Sequence, residues 1–254
     1  MGDLEGRIAL VTGGARGIGA AAGFALATAG ATVVLTDILD EEGFVAAAAI
    51  KSTTNREVLY RHHDVREESG WARIIAACEA ELGGLDILVN NAGVALIKPL
   101  AETSLAEFRG VMAINVEGVF LGMKAAIPAI SKRAKQWKGG GAIVNVSSIA
   151  GIVGSPSAIA YNASKGAVRL MTKSAALECS SLDLKIRVNS VHPGRIDTIM
   201  LAESSRGFEG VTRSSPTMMA APEDIGGVIC FLASDAAAFM TGSEVVADGG
   251  FTAQ

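Results

Sequence analysis

A chain of 254 residues that is 50% hydrophobic and 19% charged, with 30 glycines, can bury a large core with many close backbone approaches, which excludes a disordered or fibrous protein. Its formal net charge of -4 presents no basic field to a polyanion, so nucleic acid is excluded as a partner. The three cysteines (Cys78, Cys179, Cys230) and three histidines (His62, His63, His192) lack metal-ligand spacing; neither a disulfide framework nor structural zinc is expected, and a reducing cytoplasm fits.

The opening Met-Gly-Asp-Leu-Glu-Gly has neither the basic nor the apolar region of a signal peptide, so no export signal or lipid anchor is expected. A β-branched run from Ile8 to Thr12 predicts a strand that leads into Thr12-Gly13-Gly14-Ala15-Arg16-Gly17-Ile18-Gly19 and a helical stretch ending near Ala29. Such a glycine-rich turn suits a pyrophosphate, because backbone N–H groups and the positive end of the helix dipole converge there. Gly13 serves the tight turn, and a side chain at Gly17 or Gly19 would block the phosphate or the neighbouring strand. The uncharged stretch from Gly17 to Thr36 is long enough for a membrane span, but its Ala and Gly content and its change of pattern at Gly30 predict helix, turn and strand.

The second strand, Thr32 to Thr36, is followed by Asp37, whose carboxylate can accept hydrogen bonds from both adenosine ribose hydroxyls. Against a 2'-phosphate the same charge would be repelled by roughly 4 kcal/mol, so NAD is preferred over NADP. Arg16 works in the opposite sense, since a guanidinium beside the loop pairs with phosphate, while Ile38 adds no base.

Further strands are predicted over Glu57 to Tyr60, Leu85 to Val89, Ala142 to Ser147, Ile186 to Val191 and Glu244 to Val246, separated by Ala-rich helical stretches. This alternation implies an α/β fold: a doubly wound parallel sheet with helices on both faces, in a single domain over residues 1–254. His62 and His63 are expected to face solvent and His192 to serve a turn. Arg195 to Pro222 breaks the rhythm with Gly207, Gly210, Pro216 and scattered Met and Phe, and is read as a substrate lid over 195–222.

Tyr161 and Lys165 share one face of a helix predicted from Ala158 to about Glu178, and Ser148 lies just past a strand, at the sheet edge where ligands bind. A carbonyl that receives hydride must also gain a proton, and Tyr161 can supply it. Lowering a phenol's pKa by about 2.5 requires roughly 3.4 kcal/mol, and an ammonium at Lys165 about 5 Å away would give near 3 kcal/mol. Ser148 would stabilise the charge developing on the substrate oxygen.

Through the glycine-rich turn, Asp64-Val65, Asn90-Asn91-Ala92-Gly93, Asn115, Ser148, Tyr161 with Lys165, and Pro193-Gly194, the chain resembles the short-chain dehydrogenase/reductase family over essentially its whole length. The runs Tyr161 to Arg169, Val191 to Gly194 and Asp248 to Gln254 resemble its bacterial R-specific secondary alcohol dehydrogenases. The resemblance implies a Rossmann-type sheet of about seven strands and a catalytic tetrad of Asn115, Ser148, Tyr161 and Lys165, with Asn115 holding a relay water. It implies adenine contacts at Asp64 and Val65, ribose contacts near Asn91, nicotinamide contacts at Pro193, Gly194, Ile196 and Thr198, and further cofactor contacts at Ile18, Ala92, Gly93, Tyr161 and Lys165. Tetramers built through the helical stretches around residues 101–130 and 158–178 are implied as well, as is, by analogy, a structural magnesium ion near Gln254. Those alcohol dehydrogenases generally favour NADP and lack an acid at the position of Asp37, and Arg195 stands where an aromatic or small residue is usual. The expected function is NAD-dependent interconversion of small apolar ketones and secondary alcohols. Hydroxysteroid dehydrogenase, 3-oxoacyl reductase and a non-catalytic dinucleotide sensor are the alternatives.

Overall fold

The computed structural model describes residues 4–198 and 219–253. Seven parallel strands form one sheet: β1 (Ile8–Thr12), β2 (Thr32–Asp37), β3 (Val58–His62), β4 (Ile87–Asn90), β5 (Gly141–Val146), β6 (Ile186–Pro193) and β7 (Glu244–Ala247). Their spatial order is β3-β2-β1-β4-β5-β6-β7. The chain reverses its direction of winding between β1 and β4, which opens a crevice at the C-terminal ends of these two strands.

Among the described residues the α-helices are α1 (Gly17–Thr28), α2 (Asp40–Thr54), α3 (Glu68–Ala77), α4 (Leu105–Met112), α5 (Gly118–Ala134), α6 (Ile159–Ser181) and α7 (Pro222–Ala233). Alternation along β1 assigns the layers. Ala9 and Val11 pack with Leu26 of α1, Ile50 of α2 and Ile229 of α7, whereas Ile8 and Leu10 pack with Ile74 of α3, Ile130 of α5 and Val168 of α6. Strands covered on both faces bury every residue, as β1, β4, β5 and β6 do, and such strands read as nearly continuous apolar runs.

The uncharged stretch resolves into α1, a turn at Gly30 with φ +108° and β2, as its pattern predicts. A different run, Leu105–Ala134, has the length and hydropathy of a membrane span. In this fold it consists of α4, a π-helical turn (Ala113–Glu117) and α5, and it packs along α3, β4, β5 and α6. The expectation that His63 faces solvent is corrected. It is buried edge-on against Trp71 with ring centroids 4.6 Å apart, because β3 ends at His62 and the chain then turns inward toward α3; His62 remains exposed.

At the N-terminal end of β4, fully buried Asp86 joins three segments. It accepts hydrogen bonds from the Ile8 N–H (2.9 Å), Arg133 Nε (3.0 Å) and Trp137 Nε1 (2.6 Å). Asp86→Ala leaves these donors, one of them cationic, without their acceptor, and a broken buried pair of this kind costs about 3 kcal/mol. Thermal unfolding of the variant is expected to shift down by about 6–12 °C for a chain of this size, and a midpoint within about 2 °C of wild type would show that Asp86 is not a structural anchor.

Candidate active site

The crevice between β1 and β4 is framed by backbone. Arg16 stands at the N-cap of α1 and its side chain does not cap the helix, and the first turn carries no acidic residue, so the N–H groups of that turn remain available to an anion. Gly13 and Gly17 have φ of +62° and +57°, a region that side chains disfavour. A Cβ on Gly19 would lie 2.0 Å from the Gly13 carbonyl oxygen, so α1 approaches the loop as closely as backbone allows. Thr12 and Asn91 fix the loop from the β4 side. The Thr12 hydroxyl accepts from the N–H groups of Asn91 (3.0 Å) and Ala92 (3.1 Å), and Asn91 Nδ2 donates to the carbonyls of Thr12 (2.9 Å) and Gly13 (3.0 Å).

A cavity of about 460 Å³ follows this loop, lined by Gly13, Arg16, Gly17, Ile18, Asp37, Asp64, Val65, Asn91, Ala92, Gly93 and Thr198 among the predicted cofactor residues. Asp37 is held in place: one carboxylate oxygen accepts from the Ala15 N–H (3.1 Å) and the other from those of Ile38 (2.8 Å) and Leu39 (3.2 Å). Asp64 is paired with Arg66, whose Nε lies 2.9 and 3.0 Å from its two oxygens; the guanidinium holds its carboxyl below the usual range. Gly19 stands behind the cavity. Pro193, Gly194 and Ile196 also lie outside its lining: Pro193 ends β6, the Gly194 N–H donates to the Ala247 carbonyl (3.0 Å), and buried Ile196 bridges to Ala220.

Gly93 leads from this cavity to the second cluster, since a Cβ there would meet Asn115 Oδ1 at 3.2 Å and Lys165 Nζ at 3.6 Å. Lys165 is buried, donates to the Val146 carbonyl (2.9 Å) and lies 5.7 Å from the centre of the Tyr161 ring. The Ser148 side chain lies near enough to the Tyr161 hydroxyl to lower its pKa. Burial raises the Tyr161 pKa, partly offset by Ser148, and lowers that of Lys165 to about 8. Asn115 sits in the π-helical turn, where its amide accepts from the Val94 N–H (2.9 Å) and donates to the Val94 carbonyl (2.9 Å) and Ser164 Oγ (3.0 Å). Both of its N–H bonds are thereby engaged by protein.

A family model described as enoyl-(acyl carrier protein) reductase matches residues 13–252. The chain is 44% identical over 262 residues to cyclopentanol dehydrogenase of Comamonas sp., with 100% of both chains covered. It is 41% identical over 254 residues to the NADP-dependent (R)-specific alcohol dehydrogenase of Lentilactobacillus kefiri, covering 99% of this chain and 98% of that one. A crystal structure of a short chain dehydrogenase from Mycobacterium paratuberculosis bound to NAD superposes with a TM-score of 0.89 at 32% identity, covering 100% of both chains. The chain belongs to the short-chain dehydrogenase/reductase family.

As a short-chain dehydrogenase/reductase it carries several site-shaping residues that sequence reading passed over. Thr12 was visible only as the first letter of the glycine-rich motif, although its hydroxyl joins two strands. Asp248 accepts from the Gly250 N–H (2.9 Å) and from the Thr252 N–H (2.8 Å) and hydroxyl (2.7 Å), and the turn so formed presses on Gly194, where a Cβ would lie 2.8 Å from Asp248 Cα. His63 lines the cofactor cavity, and its Nε2 has no hydrogen-bond partner among the described residues. Of the segment read as a lid, residues 199–218 lie outside the described residues, as does Gln254. Among the described residues no group of three or more His, Cys, Asp or Glu could hold a metal ion.

Burial lowers the pKa of His63 to about 4, against about 6.5 in an unfolded chain. The unfolded state therefore binds the proton more readily, so the contribution to stability is complete above pH 6.5 and is lost as pH falls toward 4, by up to roughly 3 kcal/mol. In urea unfolding of the cofactor-free protein, the loss of stability between pH 7 and pH 5 is expected to be smaller in His63→Gln than in wild type. Equal losses would show that this imidazole does not set the acid limb.

Proposed function

We propose that this chain is an NAD-dependent oxidoreductase that interconverts small apolar secondary alcohols and ketones, with Tyr161 as acid/base. The observation that carries the reading is buried Lys165 held 5.7 Å from the centre of the Tyr161 ring with Ser148 beside the phenol, next to a cleft where Gly13 and Gly19 leave no space for side chains. That cleft fits a dinucleotide: uncapped N–H groups at α1 for the pyrophosphate, a fixed carboxylate at Asp37 for the ribose, and Gly93 as the passage to Lys165. When bound, the dinucleotide supplies the hydride donor or acceptor and, in its oxidised form, a positive charge.

In the reducing direction the Tyr161 hydroxyl gives its proton to the carbonyl oxygen as the carbon gains hydride; in the oxidising direction the Tyr161 oxygen takes the alcohol's proton. The Ser148 hydroxyl donates to the same substrate oxygen and stabilises its developing charge. Lys165 is the positioned cation. At about 6 Å an ammonium favours a phenolate by roughly 3 kcal/mol at an effective dielectric of 20. Burial pushes both groups toward their neutral forms, so the two residues need further positive charge at the site before the phenol titrates near neutrality. A relay water could be held by the Asn115 backbone carbonyl or the free lone pair of Oδ1, since both N–H bonds of its amide are engaged.

The alcohol and ketone class is supported by the named activities of the relatives, cyclopentanol dehydrogenase among them. The NAD preference rests on Asp37, whose charge faces the cavity that also contains Arg16, although the Lentilactobacillus kefiri relative is named for NADP. Self-association as a tetramer belongs to the same proposal, supported by exposed Phe120 on α5 and Leu170 and Leu177 on α6. So does a reducing cytoplasm, in keeping with three free, buried cysteines.

Tyr161→Phe is expected to lower kcat on simple ketones by at least a hundredfold while NADH binding, followed by fluorescence, persists; a kcat within threefold of wild type would remove Tyr161 from the chemistry. Wild type is expected to show higher kcat/KM with NAD than with NADP, and Asp37→Gly to shift that ratio at least tenfold toward NADP. Preference of the wild type for NADP would overturn the reading of Asp37.

A further inference from the structure

From the hydrogen bonds around the end of β6 we infer that His192 is a positioning residue for Ser148, its Nδ1–H holding the Ser148 carbonyl while the Ser190 hydroxyl donates to Nε2 and fixes the ring. This rests on the proposed roles of Ser148 and Tyr161. Ser190 and His192 lie two residues apart on β6, so their side chains project to the same face of the sheet, and both are wholly buried. His192 Nδ1 is 3.1 Å from the Ser148 carbonyl oxygen, and Nε2 is 2.8 Å from Ser190 Oγ.

The partners settle which nitrogen carries the proton. A carbonyl oxygen only accepts, so Nδ1 must be the donor. Burial lowers the pKa of His192, which leaves a neutral ring with one N–H, and Nε2 must then accept from the Ser190 hydroxyl. The other acceptor near that hydroxyl, the Ser243 carbonyl, is farther away at 3.5 Å. A single direction of donation therefore runs from Ser190 through His192 to Ser148.

Its consequence falls on the Ser148 hydroxyl. The Ser148 backbone is extended (φ -172°, ψ 161°) and opens the short 3-10 turn Ile149–Gly151, its Oγ accepting from the Ala150 N–H (3.1 Å). With its carbonyl held by His192 and by the Gly151 N–H (3.0 Å), and Oγ by Ala150, the hydroxyl hydrogen is the part of the residue left to turn toward Tyr161 or a substrate oxygen. Without the imidazole, the peptide after Ser148 can rotate and Oγ moves off the reaction centre; small misplacements of this kind are known to be expensive in rate.

The test uses the full-length protein with NADH and a simple ketone, together with 15N-histidine NMR. The wild-type spectrum is expected to show His192 as the Nδ1–H tautomer, and Ser190→Ala to keep that tautomer while shifting the Nε2 resonance, which loses its hydrogen-bond donor. His192→Leu is expected to lower kcat at least tenfold, with NADH affinity and ketone KM within about twofold of wild type. His192→Asn, whose amide nitrogen can stand where Nδ1 stood, is expected to recover most of the loss. A predominant Nε2–H tautomer, or a folded His192→Leu with kcat within twofold of wild type, overturns the positioning role. If His192→Leu does not fold, Ser190→Ala decides: kcat lowered more than twofold with NADH affinity and ketone KM within about twofold of wild type supports the inference, and any other result overturns it. Absence of turnover in wild type would instead sink the reading of Ser148 and Tyr161 themselves.

Discussion

The whole site depends on how closely two strand ends can be brought together. Thr12 at the end of β1 and Asn91 just past β4 exchange four hydrogen bonds counting those to Ala92 and Gly13, and this clamp sets the path of the glycine-rich loop. Once the loop is fixed, α1 can approach only where a Cβ is missing, at Gly19. That approach aims the N-terminus of α1 into the crevice and places Asp37, held by the Ala15 N–H of the same loop, at one end of it. The opposite end is reached through Gly93, where absence of a side chain brings Asn115 and Lys165 within van der Waals range.

At the reacting end, burial and charge oppose each other. Enclosing Tyr161 and Lys165 makes each harder to ionise, yet the same exclusion of water strengthens any interaction between charges that do form there. Such a site responds strongly to a positive group brought in from outside, which suits chemistry that is silent until a charged partner arrives. The neighbouring hydrogen bonds make the arrangement rigid. Ser147 Oγ donates to the Lys165 carbonyl (2.9 Å), and Asn162 Nδ2 donates to the carbonyls of Ala150 (2.8 Å) and Val153 (2.9 Å), so α6 and the segment carrying Ser148 are joined at several points.

Much of this was legible in the residues because it is local or periodic. Buried parallel strands announce themselves as apolar runs, the glycine-rich turn stands between a strand and a helix, Asp37 follows its strand, and Tyr161 and Lys165 share a helical face. The parallel sheet covered on both faces followed from the alternation, whereas the order of its strands is known only from the structure. What sequence did not disclose depends on contacts between distant segments. His63 looks like any polar strand end until the turn after β3 presses it on Trp71. Asn91 lines the cavity, but nothing local shows that its side chain also braces the glycine-rich loop. Asp86 carries no local signal, since its three donors come from β1 and the end of α5 and beyond, and His192 gains meaning only beside Ser148, a neighbour supplied by strand pairing.

The turn at Asp248 also bears on local mobility. Gly194 is backed by Asp248 and bonded to Ala247 at the end of β7, which lies at one edge of the sheet. An edge strand has a neighbour on one side only and opens at lower cost than the central strands. The course of the chain beyond Pro193 is therefore tied to the pairing of β7, and fraying of that edge would loosen Gly194 while the glycine-rich loop and the Tyr161 helix stayed in place.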